Sequence, residues 1–257
     1  MENIEETVVV IVGAGPAGLA VSACLSQKSI PHILLEKEDC VAPLWKKHAY
    51  DRLNLHLAKD YCSLPFKPHS PSTPTYLSKA EFIQYIDDYV SNFNIKARLS
   101  CSVEYACYLE DERQWSIRVK NSVSNGIEIY RAQFLVIASG ENAKGFIPEI
   151  EGLDEFKGQV IHSNDYKSGL EFQGKEVLVV GCGNSGMEIA YDLANLGAHT
   201  SIVIRSPVSS LSSYITVILF WLSIAYIRLF KLVYRVTCMS ICCSTSKAKK
   251  IICATHM

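Results

Sequence analysis

The chain reads as an α/β protein built on two copies of a βαβ unit. Three observations carry that reading: a glycine pattern that occurs twice, the apolar runs that flank each copy, and ordinary globular composition, with 49% hydrophobic and 20% charged residues in a chain of 257. Lys and Arg number 25 against 26 Asp and Glu, a net charge of -1. So balanced a chain exerts no electrostatic pull on a polyanion, which argues against nucleic acid as a partner.

The elements follow in chain order. VVVIVGAGPAGLAVSACL at 8–25 gives an apolar β-branched run, a glycine turn, then apolar residues at helical spacing, and PHILLE at 31–36 gives a second buried strand. Residues 40–77, rich in Pro, His and Tyr, read as loop. SKAEFIQYIDDYVSNF at 78–93 reads as an amphipathic helix opened by a capping box of Ser78 and Glu81. Runs at 99–109, 115–120 and 127–131 alternate like the strands of a meander, with Asn125-Gly126 as the last turn. FLVIASG at 134–140 reads as a separate apolar strand and 141–174 as a connector. The second unit is VLVVGCGNSGMEIAYDLA at 177–194, followed by the strand TSIVIR at 200–205.

Both turns match GxGxxG between a strand and a helix, the context of a Rossmann-like dinucleotide site. In Gly13-Ala14-Gly15-Pro16-Ala17-Gly18 the first glycine makes the tight turn, the second admits a pyrophosphate and the third lets helix and strand pack closely. Gly181-Cys182-Gly183-Asn184-Ser185-Gly186 repeats those roles. The residue ending each second strand separates the sites. Glu36, 18 residues past Gly18, suits two free ribose hydroxyls, whereas Arg205, 19 past Gly186, suits a 2′-phosphate. The first site therefore suits FAD or NAD, and the second NADP. Two such sites point to hydride transfer from NADPH to a flavin. A disulfide acceptor would need a second cysteine beside Cys40, and oxygen remains as the acceptor.

The ten cysteines contain no CxxC, no Cys/His grouping has zinc-ligand spacing, and no metal is expected. The opening MENIEETVVVIVG has neither the basic nor the apolar region of a secretory signal, which suits a cytoplasmic protein with reduced cysteines.

FKGQVIHSNDY at 156–166 resembles the FxGxxxHxxxW/Y fingerprint of class B flavin monooxygenases through Phe156, Gly158, His162 and Tyr166. FLVIASGENAKGFIPEIEG at 134–152 is similar to that family's LVxATGxNxxPxxP region, with Ser139 for the usual Thr. LWKKHAYDRLNLHLAKDYCSLPF at 44–66 is similar to the plant YUCCA branch, and the resemblance spans about 1–208. It implies an FAD domain at 1–165, the start of an inserted NADPH domain at 166–210 and a divergent tail at 211–257. The implied activity is NADPH- and O2-dependent oxidative decarboxylation of a 2-oxo acid, indole-3-pyruvate, to the auxin indole-3-acetate. The resemblance also implies residue roles. His162 would organise NADP docking, Trp45 would pack near the flavin or in the core, and Tyr166 would pack or touch NADP. Asn54 and His56 are the candidates for an active-site position. Two other readings stay open: a catalytically incompetent flavoprotein acting as a dead-end or interaction product, and an uncoupled NADPH oxidase.

After VIRSPV at 203–208 the family's returning segment and third glycine turn are not found. Ser206 to Ile227 is an uncharged run of 22 residues, strongly apolar only over 214–227 and followed by Arg228, Lys231 and Arg235. Three readings fit the tail: a membrane span, peripheral contact with the endoplasmic-reticulum membrane through 211–236, or the altered or truncated end of a longer product whose apolar run packs inside the protein. Cys238, Cys242 and Cys243 would be acylation candidates on a membrane.

Overall fold

The computed structural model describes residues 4–142, 144–204 and 250–253. The chain divides into two compact units, 1–144 and 145–257. The first contains β1 (Ile4–Val12), α1 (Pro16–Gln27), β2 (His32–Leu35), α2 (Lys79–Asn92), β3 (Ala97–Arg98), β4 (Cys101–Leu109), β5 (Gln114–Asn121) and β6 (Ile127–Ile137). These strands form one sheet in the order β3-β2-β1-β6-β5-β4. Its first four strands are parallel, and β6, β5 and β4 form the antiparallel meander.

Side-chain alternation explains why β1 and β2 are apolar throughout. Val9, Ile11 and Leu34 pack with Leu19 and Ala23 of α1 and with Phe82, Tyr85, Ile86 and Tyr89 of α2. Val10, Ile33 and Leu35 pack instead with Ile117, Val119, Tyr130 and Ala132 of the meander. A strand covered on both faces has no polar side to show. On α2 the buried residues Phe82, Tyr85, Ile86 and Tyr89 recur at helical spacing, and Ser78 caps the helix through the capping box the sequence predicts.

The second unit contains β7 (Gln159–His162), β8 (Glu176–Val180), α3 (Asn184–Asn195), β9 (His199–Val203) and β10 (Lys250–Cys253). The sheet order is β7-β10-β8-β9 and every pairing is parallel. Helix α3 buries Ile189, Ala190 and Leu193.

Two details differ from the sequence reading. The runs at 127–131 and 134–140 are one strand, because β6 stays paired to β1 from Ile4↔Ile129 to Val12↔Ile137. The division at 144/145 precedes the expected domain boundary after 165, because β7 belongs to the second sheet. Arg205, the 211–236 stretch with its apolar run at 214–227, and Cys238, Cys242 and Cys243 lie outside the described residues. Among the described residues no helix is long and apolar enough to cross a membrane.

Candidate functional site

The first glycine turn is built by steric necessity at two positions and by open space at the third. Gly13 has φ +104°, and a Cβ there would lie 2.4 Å from the Ala138 carbonyl oxygen. A Cβ on Gly18 would lie 1.9 Å from the carbonyl oxygen of Gly13. Neither position admits a side chain, since both obstacles are backbone. A Cβ on Gly15 meets nothing within 4 Å. That space lies in front of the N-terminus of α1, where Gly15 is the N-cap, Pro16 follows, no side chain caps the helix and no acid stands in the first turn. Unsatisfied N–H groups and the positive end of the helix dipole therefore face the gap, a fit for a pyrophosphate.

Glu36 follows β2 and is buried against this turn. Its Oε2 accepts the Ala14 N–H at 2.7 Å and its Oε1 the Glu38 N–H at 3.0 Å. A carboxylate offers about four acceptor sites, so about two remain for ribose hydroxyls. The Ala14 carbonyl in turn accepts from the Ala42 N–H at 2.9 Å. Both backbone polar groups of Ala14 are thus occupied, and the loop holds its shape.

The second turn repeats the first. Gly181 has φ +111° and donates to the Val203 carbonyl at 3.0 Å, as Gly13 donates to Leu35 at 2.7 Å. Gly183 is the N-cap of α3, again with no side-chain cap and no acid in the first turn. Here the first turn carries Asn184 and Ser185, where α1 carries Pro16 and Ala17. Ser185 is buried, and among the described residues its Oγ has no hydrogen-bond partner. An orphaned hydroxyl at a helix N-terminus fits a phosphate oxygen. Cys182 is half-buried within the turn, and Gly186 is buried in the first turn of α3.

The fingerprint residues lie in the second unit. His162 ends β7, is buried, and accepts the Asn164 N–H on Nδ1 at 3.1 Å. Burial pushes its imidazole below the usual histidine value, while Asp165 pulls the other way. A Cβ on Gly145 would lie 2.6 Å from His162 Nδ1, so that glycine packs flat on the ring. Tyr166 is fully buried, and its hydroxyl donates to Asp192 of α3 at 2.5 Å. Phe156 and Gly158 are half-buried in the approach to β7.

Trp45 sits in a π-helical turn at Leu44–His48, packed on Phe82 with ring centroids 4.5 Å apart. Asn54 and His56 are exposed and alternate with the buried Leu53 and Leu55. Cys40 is half-buried, and burial pushes its thiol up, away from the range of a reactive thiolate.

One constellation escapes sequence reading. The Arg98 guanidinium grips both carboxylate oxygens of Glu5 at 2.5 and 2.6 Å and donates to the Tyr130 hydroxyl at 2.9 Å. That hydroxyl donates to Glu128. The Arg98 carbonyl accepts the Glu36 N–H at 2.9 Å, which fixes the backbone of the ribose-side carboxylate to the anchored strand β3. Glu5 and Arg98 are 93 residues apart, and no local signal pairs them.

The family model for pyridine nucleotide-disulphide oxidoreductases matches residues 10–231. The probable indole-3-pyruvate monooxygenase YUCCA10 of Arabidopsis thaliana is 55% identical over 202 residues, 79% of this chain and 53% of that protein. The chain thus spans about half the length of the curated relatives it matches. A flavin-containing monooxygenase from Stenotrophomonas maltophilia shares the fold, with a TM-score of 0.78 at 21% identity over 98% of this chain and 78% of that one. The OTEMO complex with FAD and NADP has a TM-score of 0.66 at 25% identity over 78% of this chain and 39% of that one. With a model match that covers both glycine turns, the chain belongs to the pyridine nucleotide-disulphide oxidoreductase family, in which it resembles the YUCCA-type flavin monooxygenases.

Proposed function

We propose that the chain binds FAD at the first glycine turn and NADPH at the second, and serves a flavin-dependent monooxygenation that consumes O2. The relatives' names favour indole-3-pyruvate, a small 2-oxo acid, as the substrate. The observation that carries the cofactor reading is the pair of glycine-capped, acid-free helix N-termini. When bound, the two cofactors supply the hydride donor and the oxygen-reactive flavin. The protein's part is to hold and orient them. Gly15, Ala17 and Gly18 present backbone to a pyrophosphate, and Glu36 accepts from the adenosine ribose. Gly183, Asn184, Ser185 and Gly186 take the second pyrophosphate, and Arg205 pairs with a 2′-phosphate. His162 and Tyr166 brace the approach to the second site, Trp45 supports the first through the core, and Asn54 and His56 are the candidates for contact with substrate. The reading goes with a cytoplasmic location, with 211–236 as the stretch to touch an endoplasmic-reticulum surface.

The absorbance spectrum of the purified chain tests both sites together. A yellow protein that bleaches with NADPH under anaerobic conditions and recovers its colour in air is expected. Colourless protein overturns the FAD assignment, and colour that NADPH leaves unchanged overturns the second. Arg205→Ala should weaken NADPH far more than NADH, since a charge-assisted contact is worth about 1.5–3 kcal/mol. Equal losses for both reductants overturn the role of Arg205.

A further inference from the structure

Glu36 is held from two sides. Its carboxylate accepts the N–H groups of Ala14 and Glu38. Its backbone hangs on residues 98–101: the Glu36 N–H donates to the Arg98 carbonyl at 2.9 Å, the Cys101 N–H donates to the Glu36 carbonyl at 2.8 Å, and the Ser100 N–H donates to the Glu38 carbonyl at 2.8 Å. This second support is only as firm as β3. That strand has two residues, Ala97–Arg98, and lies at the edge of the sheet, paired to β2. Ser100 follows it in the left-handed region, with φ +58°. A short edge strand frays at little cost, and a strained corner keeps its shape only when its flanks are fixed.

The Arg98 side chain supplies the fixing. Its guanidinium takes both carboxylate oxygens of Glu5 on β1, donates to the Tyr130 hydroxyl on β6 and lies over the Tyr130 ring, 5.3 Å from the centroid. In the sheet order β3-β2-β1-β6 this ties the edge strand to two interior strands that lie beyond its ladder neighbour β2. The side chains of Arg98 and Glu5 are 40% and 46% exposed, and ion pairs so open to water add little to global stability. A two-point, planar grip does fix direction. The clasp therefore acts on position more than on stability.

We propose that Arg98 is a positioning residue for the flavin site. By pinning β3 to Glu5 and Tyr130 it holds Glu36 in the orientation that accepts the adenosine ribose hydroxyls, and so sets the chain's preference for a ribose over a 2′-deoxyribose dinucleotide. The inference rests on the FAD assignment above and adds to it a residue that acts through another.

The test equilibrates the full flavin-loaded chain with equal concentrations of FAD and the FAD analogue that lacks the adenosine 2′-hydroxyl, and reads the bound ratio by mass spectrometry. Wild type should hold FAD over the analogue by about ten to one, the factor that one hydrogen bond to a carboxylate supplies. Arg98→Met, which keeps an apolar stem, and the milder Glu5→Gln should each bring the ratio to about three to one or less as that bond loses its geometry. Variants that are merely less stable hold less of both flavins at an unchanged ratio, so a wild-type ratio in both variants overturns the positioning role. Amide exchange supplies the second measurement, which needs no ligand preference: in both variants Glu36, Ser100 and Cys101 should exchange about tenfold faster while Val9–Val12 stay unchanged. Unchanged exchange at Glu36 overturns the mechanical link. A wild-type chain that takes the two flavins equally overturns the ribose role of Glu36 and with it this inference, a result distinct from the others because it appears before any substitution is made.

Discussion

Helices α1 and α2 lie in the same unit and have 12 and 14 residues, yet their N-termini are finished in opposite ways. At α2 the Ser78 hydroxyl accepts the Glu81 N–H, and the Glu81 carboxylate accepts from the Ser78 N–H and hydroxyl at 2.8 Å. The helix carries its own anion. At α1 the cap is Gly15, the next residue is Pro16, and no acid or capping side chain follows. The α3 terminus, capped by Gly183, is finished like α1. A missing side-chain cap forgoes roughly 1 kcal/mol of helix stability. The contrast shows that the bare termini are not a general property of this chain's helices but belong to the two glycine turns, where an incoming phosphate would take the place of the carboxylate.

Substitutions can break this contrast, beginning with the largest effect. Gly18→Ala drives a Cβ into the Gly13 carbonyl and should destabilise the first unit by about 3 kcal/mol, with loss of bound flavin, measured by thermal unfolding and flavin absorbance. Gly15→Ala separates folding from binding. Its Cβ meets nothing in the protein, so unfolding should stay within about 0.5 kcal/mol of wild type, while flavin retention falls as the side chain enters the pyrophosphate's space. A Gly15→Ala protein that stays yellow after gel filtration refutes the bare-terminus reading. Ser78→Ala should cost about 1 kcal/mol in chemical denaturation and leave flavin content unchanged.

The smallest effect is a pH dependence at α2. Hydrogen bonds from Ser78 hold the Glu81 carboxyl below an ordinary glutamate's 4.5. The folded chain thus ionises Glu81 more readily than the unfolded chain. The resulting stabilisation is complete above about pH 4.5 and is lost as pH falls through the lower folded value. Denaturation midpoints of wild type and Glu81→Gln should therefore converge below pH 4.5, whereas a gap that persists in acid would assign the cap to shape rather than charge.

Features that depend on a few neighbouring residues were legible in the sequence. The glycine turns follow from backbone sterics at Gly13 and Gly18, and the cap of α2 from Ser78 and Glu81 three residues apart. What sequence reading missed depends on distant partners. β6 looked like two runs because polar Arg131 and Gln133 interrupt the apolar pattern, yet Tyr130 and Ala132, which alternate with them, are buried and carry the pairing through. β7 and β10 are four residues each and take their meaning from each other and from β8. The likeness of KIICATH to FLVIASG was the available signal for β10. The Arg98 clasp had none, since its partners Glu5 and Tyr130 come together only when the sheet forms.

The place of β10 also sets an order of assembly on the ribosome. Every strand of the first sheet is drawn from residues up to Ile137, so that unit can complete its hydrogen bonding while later codons are still being read. The second sheet is different: β7, β8 and β9 emerge early but the strand between β7 and β8 comes from Lys250–Cys253. Until those residues leave the exit tunnel, two open strand edges are exposed to other nascent chains, and the hazard of mispairing is greatest there.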